Sequence, residues 1–148
     1  MHRIGTKVVL FATVALLLIS IGMVATAQDN VKPNVTISQL AGPWTATLSG
    51  VTGCGVTTLT TTFFLDATGN GTQTSALQHT AGCGDIDLTG QSAQIQSLKA
   101  NGNGFIALGC GSGCGFGFNI QVSRNLQVFN MGAQPVGGNF LAGVAVHR

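Results

Sequence analysis

The sequence contains no tyrosine, one tryptophan, no glutamate and only four aspartates, and charged residues make up 7% of its 148 positions. Each shortage excludes something. Acid–base chemistry would have to come from Asp29, Asp66, Asp85, Asp87 and a few histidines, a thin supply for an enzyme. The six Lys and Arg residues are scattered, whereas a phosphate backbone needs clustered cations to displace its counterions, so nucleic acid is not an expected partner. Beyond the N-terminal segment no apolar run holds a helical period with its caps, which argues against a helical layer.

His2, Arg3 and Lys7 form a basic start, followed by an apolar run over 8–24 and then Ala25-Thr26-Ala27. Such an order, with a small-x-small site, reads as a secretory signal peptide over residues 1–27. The run approaches the lower limit of a membrane span, so an uncleaved anchor is the rival reading. The Ala-x-Ala site and the polar Gln28-Asp29-Asn30 behind it favour cleavage, and no cysteine stands there to accept a lipid. Cleavage leaves residues 28–148, one domain's worth of chain, with no membrane attachment. That part has four cations, Lys32, Lys99, Arg124 and Arg148, against the four aspartates, hence zero net charge. The expected destination is secreted or periplasmic. Residues 28–39, polar and carrying Pro33, read as a flexible leader, and 40–148 as a single domain.

What the chain has in abundance is glycine, 22 residues, with Thr, Asn, Gln and short β-branched or aromatic runs between. Residues 116–123 alternate without exception: Phe116, Phe118, Ile120 and Val122 against Gly117, Asn119, Gln121 and Ser123. Period two of this kind marks a half-buried strand. Residues 56–66 set Leu59, Phe63 and Leu65 against Thr58, Thr60 and Thr62. Further strands fit 43–49, 72–79, 91–99, 105–110, 126–132 and 140–147, eight in all. Two connections share a pattern, Leu65-Asp-Ala-Thr-Gly-Asn-Gly71 and Leu98-Lys-Ala-Asn-Gly-Asn-Gly104, in which Asn-Gly is expected to supply the positive φ of tight hairpins. The expected fold is all-β: an antiparallel up-and-down meander closed into a disulfide-stapled barrel, with closure removing exposed edges.

Cys54, Cys83, Cys110 and Cys114 each stand between two glycines. An even count in an exported chain implies disulfides, and sequence alone permits three pairings. In a meander, alternate connections fall on opposite ends, which puts all four cysteines at one mouth and favours Cys54 to Cys83 and Cys110 to Cys114. The weak joint is 85–90, where the phase breaks at Gly90: one strand with a glycine kink preserves the alternation, and a separate strand undoes it. A four-thiolate zinc site is the alternative use of the sulfurs, disfavoured because Cys54 and Cys83 stand alone. His79, Asp85 and Asp87 are expected near the cysteine mouth as a possible ligand rim, with solvated edge charges the simpler reading; His147 falls at the other end. Ser112 has no evident base beside it, so no catalytic constellation and no cofactor are expected.

Leu40-Ala-Gly-Pro-Trp44 resembles the Gly-x-Trp signature of the calycins, the lipocalin and avidin superfamily of eight-stranded barrels. The resemblance implies that Trp44 plugs one end of the barrel. Lacking tyrosine and having a single tryptophan, the chain has no avidin-type aromatic box, and biotin is not implied. The last strand, Phe140-Leu-Ala-Gly-Val-Ala-Val146, is apolar on both faces, so one face is a candidate for contact with a second copy. The functional expectation is a non-catalytic domain of the envelope or extracellular space with a structural or interaction role. The alternatives are a carrier of a small apolar ligand, which needs a cavity lined by Phe63, Phe118 and Ile120, and the four-thiolate metal domain.

Overall fold

The computed structural model describes residues 34–111, 114–133 and 139–148; the signal peptide expected at 1–27 and the first part of the leader lie outside them. Nine strands follow in chain order: β1 (Gly42–Thr52), β2 (Gly55–Leu65), β3 (Asn70–Thr80), β4 (Gly84–Asp87), β5 (Ser92–Leu98), β6 (Asn103–Gly109), β7 (Gly115–Val122), β8 (Val128–Ala133) and β9 (Phe140–His147). Their burial follows the period-two pattern. In β1, Trp44, Ala46 and Leu48 are buried while Thr47 and Ser49 face water, and in β7 Phe118, Ile120 and Val122 are buried in turn.

All pairings are antiparallel, and the sheet closes on itself. β1 pairs with β9 from Trp44↔His147 to Val51↔Phe140, and β2 pairs with β3, giving a ring of eight: β1-β2-β3-β5-β6-β7-β8-β9. The fold is thus an all-β closed barrel, consistent in shape with the calycin barrels, with β4 as an extra strand on β3. Eight strands leave an interior that side chains can fill. Trp44, Phe63, Phe118 and Phe129 are fully buried there with Leu48, Leu59, Leu65, Ile106, Leu108 and Leu141. Each such side chain contributes about 1.5–3 kcal/mol by leaving water. The lumen also holds a polar bridge: the Thr61 hydroxyl donates to Gln73 Oε1 (3.0 Å), and Gln73 Nε2 donates to the Gly109 carbonyl (2.7 Å).

The phase break at Gly90 separates β4 from β5, and Gly90 takes φ +85°. Both pieces nevertheless run antiparallel to β3, with Asp87 opposite Leu77 and Ser92 opposite Thr72. Backbone bonds from Leu88 N–H to Ala76 O (2.8 Å) and from Gln73 N–H to Gln91 O (2.8 Å) carry the ladder across the gap. The pieces form one interrupted strand, so the alternation of ends survives. The expectation that closure removes every edge needs correction, because β4 pairs with β3 alone and keeps a free edge.

Two smaller expectations also change. In the first hairpin the positive φ belongs to Gly69 (+83°), and Asn70-Gly71 already opens β3; the matching loop uses Gly102 (+85°) at the same place, ahead of β6. The glycine before the Asn-Gly that opens the next strand therefore turns the chain in both copies; in the second it is the glycine of Asn101-Gly102, as expected, and in the first it follows Thr68. The leader, for its part, joins the domain from Val35. Val35 is buried and donates its N–H to Ala100 O (3.0 Å), and a 3-10 turn over Ile37–Leu40 buries Leu40 completely. Apolar Val35 and Leu40 join the core cluster that includes Trp44, which is why the boundary lies before Leu40.

Candidate functional site

The alternation of ends brings all four cysteines to one mouth. Cys54 follows β1 and Cys83 precedes β4, and they are bridged with Cα atoms 5.5 Å apart; Cys110 and Cys114 are bridged between β6 and β7 at 5.3 Å. The favoured pairing is the one present. Bridged sulfur offers no thiolate to a metal, and among the described residues no group of three or more His, Cys, Asp and Glu gathers round a common point. Disulfides suggest an oxidising environment outside the cytoplasm. Among the described residues no helix is long and apolar enough to cross a membrane.

His79 and Asp85 sit directly opposite each other on β3 and β4, and His79 Nδ1 contacts the Asp85 carboxylate. Both side chains are more than 60% exposed on the outer surface, so water screens the pair and its energetic weight is small. Asp87 faces the same way but is occupied with its own turn. It accepts the Thr89 N–H (2.8 Å), and the Thr89 hydroxyl, then that N–H, hold its carboxyl below the ordinary value. The three residues expected at the rim share one exposed face of β3 and β4. Ser112 lies outside the described residues.

The opposite end is sealed. The Trp44 indole N–H donates to Leu40 O (2.8 Å), with its ring 4.4 Å from Phe129 and 4.7 Å from His147 between centroids. His147 lies there as expected, far along the barrel from His79. Its Nε2 is buried without a hydrogen-bond partner among the described residues, and Gly42 leaves room for it: a Cβ there would stand 2.6 Å from that nitrogen.

Two features escape the linear pattern. The first is the outer wall of β9, β1 and β2, three adjacent strands without one Asp, Glu, Lys or Arg. Val144 lies beside Thr47, then Thr60 and Leu77 across the sheet, while Phe140 lies beside Val51 and Val56. The apolar residues of these rows are exposed by 43–65%. The second is a recess of about 270 Å³ at the cysteine mouth, lined by Ile86 of β4 and by Cys54, Cys110 and Cys114 among others.

Comparison of the chain with protein-family models, with curated proteins and with solved structures finds no match in any of the three.

Proposed function

We propose that the chain is exported and acts as a non-catalytic β-barrel domain of the envelope or extracellular space, its outer wall docking a second copy of itself. The observation that carries this reading is the uncharged face of β9, β1 and β2. Phe140, Val144, Val146, Val51, Val56 and Leu77 together expose on the order of 500 Å², as much as the largest patch of a typical monomer. A standard interface takes roughly 800 Å² per partner, so the threonines between them would take part in the contact. The lumen supports the same choice over an apolar carrier. Phe63 and Phe118 have no accessible surface and Ile120 only 3%, so they border no void large enough for water. The His79–Asp85 pair, lying in the open, favours an edge charge over an acid–base pair. Kinship with the calycins belongs to the same proposal, supported by the barrel shape and by Trp44 closing one end.

Sedimentation analysis tests the docking. The protein should run as a dimer or larger at roughly 100 μM, and Val144→Lys, which places an ammonium in the middle of the face, should make it monomeric without changing its melting curve. A wild type that is monomeric at that concentration refutes the reading. N-terminal mass analysis of the exported protein should find Gln28 first.

A further inference from the structure

The mouth recess lies beside β4, which among the described residues pairs with β3 alone, and is lined by residues of both disulfide bridges. Thr52, Gln78, Ile86, Phe116 and Asn139 are among the residues that line it. Gln78 lines the recess and is only 6% exposed, and its side-chain amide keeps access to water there. A primary amide has two donors and two acceptor lone pairs to offer an occupant. Asn139 Oδ1 accepts the Gly53 N–H (3.3 Å), which leaves its amide N–H₂ as a donor on the other side. Thr52 is already engaged with the Thr57 hydroxyl (2.8 Å).

Among the described residues no Asp, Glu, Lys, Arg or His lines the recess, so a charged ligand would lose its hydration without gaining a counter-charge. Phe116 and Ile86 add apolar faces standing across from neutral amides. An occupant must therefore be uncharged, small enough for one ring, apolar on its faces and rich in paired donors and acceptors at its edge. Adjacent hydroxyls on a pyranose meet this description, since two of them present a donor and an acceptor to one amide while the ring C–H face lies on the Phe116 ring.

We propose that this recess binds a single neutral hexopyranose unit, held by the amides of Gln78 and Asn139 and stacked on Phe116. The site is independent of the docking wall, because none of its residues belongs to the outer faces of β9, β1 or β2.

The test is a titration of the oxidised, ¹⁵N-labelled protein by two-dimensional NMR with methyl β-D-glucopyranoside. The side-chain amides of Gln78 and Asn139 and the backbone of Phe116 should shift saturably, with a Kd in the millimolar range expected of so small a ligand. Gln78→Leu, which keeps the volume and removes the amide, should weaken binding about tenfold or more. Phe116→Leu, which keeps the apolar wall and removes the ring, is the second variant if the first fails to fold. Cyclohexylmethanol, an apolar ring of similar size, and methyl β-D-glucuronide, a charged one, should bind more weakly than the glucoside. The proposal is overturned by the absence of saturable shifts at those residues, by equal affinity in the folded variants, or by tighter binding of either control.

Discussion

Removing the two disulfides one at a time should cost unequal amounts, although both sit at the same mouth. The Cys54–Cys83 bridge closes a loop of 29 residues and the Cys110–Cys114 bridge one of 4. If a cross-link acts by restricting the unfolded chain, its contribution grows with the logarithm of that length. The loop-closure relation gives about 3.6 kcal/mol for the long loop and about 1.9 kcal/mol for the short one. Their Cα separations are nearly equal, so the difference comes from the chain between them. For a domain of this size each kcal/mol moves the melting temperature by roughly 4 °C, so Cys54→Ala/Cys83→Ala should melt about 15 °C lower and Cys110→Ala/Cys114→Ala about 8 °C lower. Urea unfolding followed by circular dichroism gives both free energies, and the slope shows whether the unfolded chain has also expanded. Equal losses, or a larger loss for the short loop, would refute the loop-length argument and place the value of the bridges in the folded state.

Three further outcomes are expected. Phe118→Ala empties a fully buried site in the lumen and should cost about 3–5 kcal/mol in urea unfolding; a loss near 1 kcal/mol would mean that the lumen collapses easily or is already loose. Gln73→Leu strips the Gly109 carbonyl and the Thr61 hydroxyl of their partner and should cost about 1–3 kcal/mol despite the gain in apolar volume, so a neutral or stabilising result would show that water replaces the amide. The Asp66 carboxyl is held below its ordinary value by the Thr68 hydroxyl and the Asn70 N–H, and that of Asp87 by Thr89. A lowered folded-state pKa contributes stability above the unfolded value and loses it as pH falls through the folded value. The melting temperature should therefore drop on acidification below about pH 4, and Asp66→Asn should flatten that drop; an unchanged acid limb would count against the turn's role.

The strands were legible because Phe118, Ile120 and Val122, or Leu59, Phe63 and Leu65, repeat every second residue, and a half-buried pleat allows no other period. The shared mouth of the cysteines was legible too, since alternation of ends needs only a count of connections. β4 was legible only in part. Ile86 and Leu88 keep the alternation up to Gly90, but the four residues of Gly84–Asp87 are all exposed, and the ladder to β3 is what fixes them as a strand. The outer wall was visible in β9, which is apolar on both faces, but its continuation through Val51, Val56 and Leu77 depends on cross-strand register, which period two leaves open. Gln78 had a signal that went unused: it shares the inward phase of Ala76 and Thr80. A glutamine in the core phase of a strand marks a place where the interior turns polar.

The two ends and the wall of this barrel divide the work between them. Trp44, Phe129 and Leu40 seal one end with apolar contacts and one indole hydrogen bond, so no ligand enters there. Toward the mouth the inward residues turn polar, with Thr52, Thr57, Gln78 and Thr80 in place of the phenylalanines. The wall reverses the usual order again by carrying apolar groups outward among threonines. Since the recess and the wall share no residue, Val144→Lys should abolish self-association and leave the glucoside shifts intact, while Gln78→Leu should do the opposite. If instead Val144→Lys also weakens the glucoside, wall and mouth are coupled through the strands that reach both: β9, which Asn139 precedes, β1, which ends at Thr52, and β3, which carries Leu77 outside and Gln78 within. The pair of variants thus separates two independent surfaces from two coupled through shared strands.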